Sequence, residues 1–369
     1  MNQTQGYYCH PQNRWKGIGP YYAMFPTNFA DEVIRKYTDI GEYIIDPFAG
    51  RGTSLFSAAV NDRISIGVEL NPVGWIYSKA KLNPAKKDMV INRLKVIGKL
   101  AKDCDRKIKD LPEFFHICFD KEILKFISCA RANLNWRRSR VDQTIAAIIL
   151  VYLHGKLGAS LSNQLRQTKS MAPQYAIKWW KDNKLKPISI DPLDFLIERI
   201  NWRYDKGIPE LTRSYSYLGD SRIVLNRLLK DNFGKNISGK IKLLLTSPPY
   251  CGVTNYHYDQ WLRLWLLGFP YVEESSFAAS KNRYSNRKFY RKLLLRVFEL
   301  SSKWLSRDAI IYVRTDAREF TFKTTKEILR KTFPQKSLLT IRRPINKPSQ
   351  TALFGDFEQK KGEIDIILR

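Results

Sequence analysis

Nowhere in the 369 residues do apolar side chains run uninterrupted for the roughly 18 positions that a bilayer-spanning helix needs. The best candidate, Ile145 to Leu153, stops at His154-Gly155-Lys156 and reads as a buried helix. The opening MNQTQGYYCHPQNRW has no apolar core of the kind an export signal requires. Cysteine is sparse and unpatterned: Cys9, Cys104, Cys118, Cys129 and Cys251 include no C-x-x-C pair. An odd, scattered set fits neither a disulfide framework nor a structural zinc site, so no metal site is expected. Acidic residues are also short, with 35 Asp and Glu against 63 Lys and Arg, for a net charge of +28. Such an excess calls for a partner of dense negative charge, nucleic acid or an anionic surface. With no candidate span, the expectation is a cytoplasmic, reduced protein that binds nucleic acid and not membrane.

What is present is core-forming material. Hydrophobic residues make up 44% of the chain, and its length fits about two domains. From Glu42 to Lys81 the pattern is strand, loop, helix, strand, helix. EYIIDPFAGRGTSLFSAAV has a β-rich run, a glycine-bearing turn and a helical pattern; ISIGVELNPVGWIYSKAK repeats the scheme. The alternation resumes with YSYLGD, a helix over Ser221 to Lys230 and the strand IKLLLT. A basic helix near Lys288 to Leu305, the strand AIIYV and a helix from Thr325 follow, with Thr324 and Glu327 spaced as a capping box. SLLTIRRP and EIDIILR close the chain as two strands able to pair antiparallel. The roughly 130 residues between the two α/β blocks exceed any ordinary loop and must carry structure of their own. Helical patterns there cover Val90 to Lys109, Lys121 to Leu134 and Asp142 to Leu153, beside the run APQYAIKWWKDNKLKP. The expected division is therefore 1–82 and 213–369 as two parts of one α/β domain, around a mostly helical insertion at 83–212.

Two short stretches carry chemistry. DPFAGRGT, Asp46 to Thr53, follows a strand and opens a helix, where backbone N–H groups and the helix dipole can hold a polar or anionic ligand. Gly50 and Gly52 permit close backbone approach. The spacing is not G-x-G-x-x-G, so a dinucleotide pyrophosphate fits less well than a smaller zwitterionic nucleoside. Glu69 ends the next strand, where a carboxylate can accept hydrogen bonds from ribose hydroxyls. Singly, Asp46 reads equally well as a helix cap and Glu69 as a solvated strand end; their ordered pairing is harder to ascribe to chance. The second stretch is TSPPY, Thr246 to Tyr250, directly after an aliphatic strand. Two consecutive prolines cannot continue a ladder and fix the turn they form.

The series DPFAGRGT, GVELNP, YLGD and TSPPY resembles the S-adenosylmethionine-dependent DNA methyltransferases that modify exocyclic amino groups. YYAMFPTNFADEVIRKYT upstream, NYHYDQWLRLWLLG downstream and the insertion's HGKLGASLSNQLRQTKSMAPQYAIKWW are also similar to that family. The fold it implies is a Rossmann-like class I methyltransferase with a mixed seven-stranded sheet, extended here by the helical insertion. By resemblance, Asp46, Gly50 and Gly52 shape the methionine pocket of S-adenosyl-L-methionine, beside Pro47, Phe48 and Thr53 of the same loop. Glu69 binds the ribose with Leu70 next to it. Asp220 faces the adenine with Ser221 adjacent, and Phe25, Pro26, Thr27 and Asn28 close over the cofactor. Thr246 borders the same site, and Ser247, Pro248, Pro249 and Tyr250 form the catalytic loop. The implied partners are double-stranded DNA and a cognate restriction endonuclease.

The chemistry accounts for that loop on its own terms. The lone pair of an exocyclic amine is delocalised into the base, so the nitrogen is a poor nucleophile. Hydrogen bonds from its N–H groups to a fixed carbonyl and a hydroxyl favour a tetrahedral nitrogen and free the pair for in-line attack. Prolines preset such a carbonyl. The base must also leave the stack, and Tyr250 could stack on it. No Pro-Cys dipeptide occurs, which disfavours ring-carbon methylation through a thiolate, and Cys251 reads as packing. His257 and Asp259 read as local structure, since water can take the released proton. Within the family, Ser at the loop's first position is typical of cytosine-N4 enzymes and Asp or Asn of adenine-N6 enzymes, so Ser247 favours cytosine, with adenine-N6 as the alternative. An RNA amine methyltransferase is a further alternative, although neither end carries a separate RNA-binding module. A nicotinamide-dependent oxidoreductase would lack its glycine fingerprint, and a silent DNA-binding protein would not need the full set of motifs. The insertion precedes LGD instead of lying between LGD and TSPPY, which departs from the related arrangement. Target reading is expected from the insertion, and phosphate contacts from Lys281, Arg283, Arg287 and Lys288 in the basic region Val272 to Arg296.

Overall fold

The computed structural model describes residues 8–20, 26–164, 167–252, 256–271, 286–343 and 362–369. Contacts divide the chain into two compact units. A sheet unit comprises Phe25–Leu70, Leu211–Asn255 and Lys281–Arg369, and a helical unit comprises Met1–Met24, Asn71–Glu210 and Tyr256–Ser280. The helical unit is thus larger than the expected 83–212 and is assembled from three segments. Its extra members are held by apolar surface. Helix Pro72–Leu82 buries Val73, Trp75, Ile76, Tyr77 and Ala80 and packs on helix Arg140–Tyr152. Trp261 and Trp265 of helix Trp261–Leu266 lie against the rings of Phe114 and Phe115.

In the sheet unit seven strands are ordered β3-β2-β1-β4-β5-β7-β6. They are β1 Tyr43–Asp46, β2 Ile64–Glu69, β3 Tyr215–Leu218, β4 Ile241–Thr246, β5 Leu305–Asp316, β6 Leu338–Arg343 and β7 Glu363–Leu368. The β3-β2-β1-β4-β5 run is parallel, while β7 is antiparallel to both β5 and β6. Neighbouring residues of one strand serve opposite faces. Ile45, Leu244, Ile311 and Ile366 pack with helices Ser221–Leu228, Arg287–Ser302 and Glu319–Thr332. Ile44, Leu243, Leu245, Tyr312 and Ile367 pack with helices Thr27–Tyr37 and Thr53–Val60. Burial on both faces is why these strands read as continuous aliphatic runs instead of alternating, each aliphatic side chain contributing roughly 1.5–3 kcal/mol. The expected α/β class with a mixed seven-stranded sheet and a helical partner is what the structure shows.

Several boundaries differ from expectation. The last helix is Glu319–Thr332, so Thr324 lies buried in its interior and no capping box forms with Glu327. Its entry is set instead by Asp316, whose carboxylate accepts from the Arg318 N–H. The pattern at 90–109 splits into helices Lys87–Ala101 and Asp105–Lys109. Helices Pro173–Asp182 and Pro192–Tyr204 were not anticipated, although Asp191 caps the second through the Asp194 N–H and Pro192 opens it. Among the described residues no helix is long and apolar enough to cross a membrane.

Candidate active site

The chain runs from β1 outward to β2 and β3, then returns to β4 on the other side of β1. The crevice beyond the carboxyl ends of β1 and β4 is therefore the topological switch point, where open α/β sheets bind ligands. DPFAGRGT leaves β1 there and SPPY leaves β4. Asp46 joins them. Its side chain is buried at 1% exposure, and it accepts hydrogen bonds from Thr246 Oγ1 at 2.6 Å, from the Phe48 N–H at 3.0 Å and from Ser54 Oγ. Burial pushes its carboxyl up to about 6, against the three donors that favour the charged form. Asp46 is thus a strut between the β1 loop and the β4 end. Ser54 is its partner at i+8, a role no spacing rule marks out.

Three further contacts gather the neighbouring strand ends. The Gly50 N–H donates to Glu69 Oε2 at 2.7 Å, the Gly219 N–H to the Glu69 carbonyl at 2.9 Å, and Ser221 Oγ to the Pro47 carbonyl. The ends of β1, β2, β3 and β4 thereby form one connected edge carrying Asp46, Glu69, Leu70, Asp220, Ser221 and Thr246. Asp220 caps helix Ser221–Leu228 by accepting from the Arg222 N–H, and its carboxylate also pairs with the Arg222 guanidinium at 2.6 Å. Sequence reasoning missed Arg222 as that partner. Pro47 and Thr53 are buried, whereas Phe48 and Glu69 are half-buried.

The cofactor implied by the resemblance can be weighed against this loop. Gly50 and Gly52 have φ of +55° and +73°, the left-handed region that favours glycine. An added Cβ on Gly50 would meet no heavy atom within 4 Å. A backbone loop approachable at Gly50, the amino end of helix Thr53–Val60 and a carboxylate at the adjoining strand end suit a zwitterionic nucleoside, and the residues fit.

In the loop after β4, expected to be catalytic, Ser247 is half-buried and Pro248, Pro249 and Tyr250 are buried. Tyr250 donates its hydroxyl to Glu363 Oε1 at 3.1 Å, so in this structure the ring is packed and not presented as an open stacking face. Cys251 is half-buried against the sheet unit's core, and burial raises its thiol. Asp259, in the helical unit, pairs with Lys169 at 3.3 Å, the local role expected of it; the His257 side chain lies outside the described residues. Pro26 and Asn28 are exposed at the start of helix Thr27–Tyr37, and Phe25 falls outside the described residues. Of the basic set, Arg287 and Lys288 are exposed in the first turn of helix Arg287–Ser302, with the Arg287 guanidinium 4.7 Å from the Phe320 ring centre. Lys281 and Arg283 fall outside the described residues.

A doubly wound sheet with its switch-point loops tied together defines a Rossmann-like ligand-binding unit. Residues 3–73 match the family model described as DNA methylase, of the N6/N4 methyltransferase type. The chain is also similar to the Type II methyltransferase M.MjaII of Methanocaldococcus jannaschii, at 32% identity over 66 residues, 18% of this chain and 12% of that protein. It is 41% identical to the Type II methyltransferase M.Cfr9I of Citrobacter freundii over 54 residues, 15% of this chain and 18% of that protein. It is 41% identical to the Type II methyltransferase M.MthZI of Methanothermobacter thermautotrophicus over 49 residues, 13% of this chain and 14% of that protein. The matched stretches thus span less than a fifth of each relative. Among solved structures, the rRNA methyltransferase AviRa of Streptomyces viridochromogenes aligns over 96% of this chain and 90% of that chain, at 12% identity and a TM-score of 0.34. The comparisons bear out the resemblance to exocyclic-amino DNA methyltransferases, and S-adenosylmethionine is the methyl donor it implies. The family match ends before TSPPY.

Proposed function

We propose that the protein is an S-adenosylmethionine-dependent DNA methyltransferase acting on the N4 amino group of a cytosine flipped out of duplex DNA, within a restriction-modification or related defence system. The observation that carries this reading is Asp46 bonded to Thr246, which joins the ligand loop of β1 to the loop bearing Ser247 to Tyr250. Bound S-adenosylmethionine supplies an electrophilic methyl group. The chain's own residues do the rest. Glu69 accepts from ribose hydroxyls, Gly50 and Gly52 let the backbone approach the amino-acid end, and Asp220 with Ser221 borders the adenine. Phe25 to Asn28 close over it. The Ser247 hydroxyl and a carbonyl of the loop, held by Pro248 and Pro249, accept N–H groups from the target amine and localise its lone pair. Tyr250 stays bonded to Glu363 and backs Ser247 as the flipped base enters. Ser247, in place of Asp or Asn, is the feature that points to cytosine.

The helical unit supplies base reading in this account, and Lys281, Arg283, Arg287 and Lys288 grip phosphates. Titration calorimetry tests the core of it. Saturable binding of S-adenosylmethionine, lost on Glu69→Ala, together with methyl transfer to duplex DNA and not to structured RNA, is expected. Absence of saturable binding would contradict the proposal.

A further inference from the structure

Tyr250 is 7% exposed, and its hydroxyl meets two partners from different parts of the sheet unit. It donates to Glu363 Oε1 at 3.1 Å, while Ser247 Oγ reaches Tyr250 Oη at 3.4 Å. Glu363 opens β7, the antiparallel strand between β5 and β6, and faces Asp316 and Arg343 in the two registers. Its other oxygen, Oε2, lies 3.5 Å from Arg314 Nη1. Arg314 is itself fixed: Nε and Nη2 donate to the fully buried Asp365 at 2.7 and 3.0 Å. Asp365 also accepts from Tyr312 at 2.9 Å and Arg343 at 3.1 Å, and the Arg314 guanidinium carbon sits 3.5 Å from the Phe29 ring centre. An ionic assembly in the antiparallel part of the sheet therefore ends in one carboxylate oxygen aimed at the catalytic loop.

The direction of this chain follows from donor and acceptor capacity. An ionised carboxylate only accepts. Tyr250 must then give its proton to Glu363, leaving its oxygen to accept from Ser247. With its own proton directed at Tyr250, the Ser247 hydroxyl offers lone pairs to whatever stands opposite. That is the state in which a serine can accept an N–H from an amine.

We propose that Glu363, oriented by Arg314, is a positioning residue that sets the polarity of the Ser247–Tyr250 hydroxyl chain so that Ser247 accepts from the target amino group. This rests on the methyltransferase reading above, and it places two positioning residues from outside the DPFAGRGT, LGD and TSPPY motifs behind the catalytic loop. Nothing passes covalently through Glu363; it acts by fixing which way two protons point.

The test is Glu363→Gln. Beside the Arg314 guanidinium the amide oxygen turns to Arg314 and the NH2 group to Tyr250, so the chain is reversed while shape is kept. The variant is expected to melt like the wild type, keep its KM for DNA and for S-adenosylmethionine, and lose roughly tenfold or more in kcat. In a Tyr250→Phe background the same change should cost nothing further in kcat. Full kcat in Glu363→Gln, or an equal loss in both backgrounds, overturns the proposal. If the wild type transfers no methyl group to DNA, it is the methyltransferase reading that has failed. A thermal-melting cycle of Glu363→Ala with Tyr250→Phe still tests the chain then. Losses that sum to more than the double variant shows uphold the contact, and strictly additive losses overturn it.

Discussion

Each unit buries a charged side chain to hold irregular backbone in place, and the two do so with opposite chemistry. In the sheet unit Asp46, acceptor-only, collects donors from Phe48, Ser54 and Thr246. In the helical unit Arg263, donor-only and fully buried, collects acceptors: the Leu150 carbonyl at 2.8 Å, Gln260 Oε1 at 2.7 Å and the Gln167 carbonyl. Around Arg263, Gln260 Nε2 donates to the Thr168 carbonyl at 2.8 Å and Trp261 Nε1 to the Met171 carbonyl at 2.8 Å. His154 Nε2 meets Ser170 Oγ at 3.2 Å. The segment between helices Arg140–Tyr152 and Pro173–Asp182 is thus clamped by side chains from the segment that follows the SPPY loop. A buried carboxylate suits short loops at strand ends, which offer hydroxyls and N–H groups. A buried guanidinium suits a long connection, whose carbonyls otherwise lack partners.

The comparison breaks most visibly at Arg263. Arg263→Met keeps bulk but strands three acceptors, and a loss of about 4 kcal/mol is expected in thermal or urea unfolding. A loss within about 0.5 kcal/mol would mean the clamp is incidental. At Asp46 the effect is set by pH. Its folded-state carboxyl titrates at about 6 against an ordinary 3.8. Between those values the unfolded chain is ionised while the folded one keeps its proton, so stability falls as pH rises through the window and then levels off. The fall should be about 3 kcal/mol, and Asp46→Asn should abolish it. Urea midpoints for both proteins from pH 4 to 7 measure this; a wild-type advantage that grows with pH would reverse the assignment. Gly50→Ala is smaller in stability, about 1 kcal/mol from its left-handed φ, but it should weaken S-adenosylmethionine binding in calorimetry by more than that. Smallest of all, Arg287→Ala with Lys288→Ala should leave melting unchanged and reduce the salt slope of DNA binding by about 2.

The same contrast explains what could be read from sequence. Motifs at the ends of β1, β2, β3 and β4 are short and occur in chain order, so DPFAGRGT, Glu69, LGD and TSPPY are legible in the sequence as strand-end motifs. Their internal wiring was not visible. Asp46 serves as a strut to Thr246, a pairing of residues 200 positions apart, and Asp220 is held by its own neighbour Arg222. Glu363 and Arg314 carry no local signal, because their roles arise from β7 inserting antiparallel between β5 and β6. Arg263 sits in a largely apolar run, WLRLWLL, where nothing local signals a buried guanidinium. The buried polar residues near it, His154, Ser160, Ser162, Gln164 and Ser170, read as part of a solvated loop in the sequence. The contact division also falls elsewhere than the expected limit at 82, because apolar surface on helix Pro72–Leu82 places it in the helical unit, although sequence alternation places it in the α/β repeat.

The central claim is that the tied loops at the carboxyl edge of the sheet unit hold S-adenosylmethionine and present its methyl group to an exocyclic amine. The most direct test is to incubate the purified protein with duplex DNA and methyl-labelled S-adenosylmethionine, digest the DNA to nucleosides and identify the labelled species by mass spectrometry. Label in N4-methylcytosine is the predicted result. Label only in N6-methyladenine would contradict the cytosine assignment, and no label in any nucleoside would contradict the claim itself.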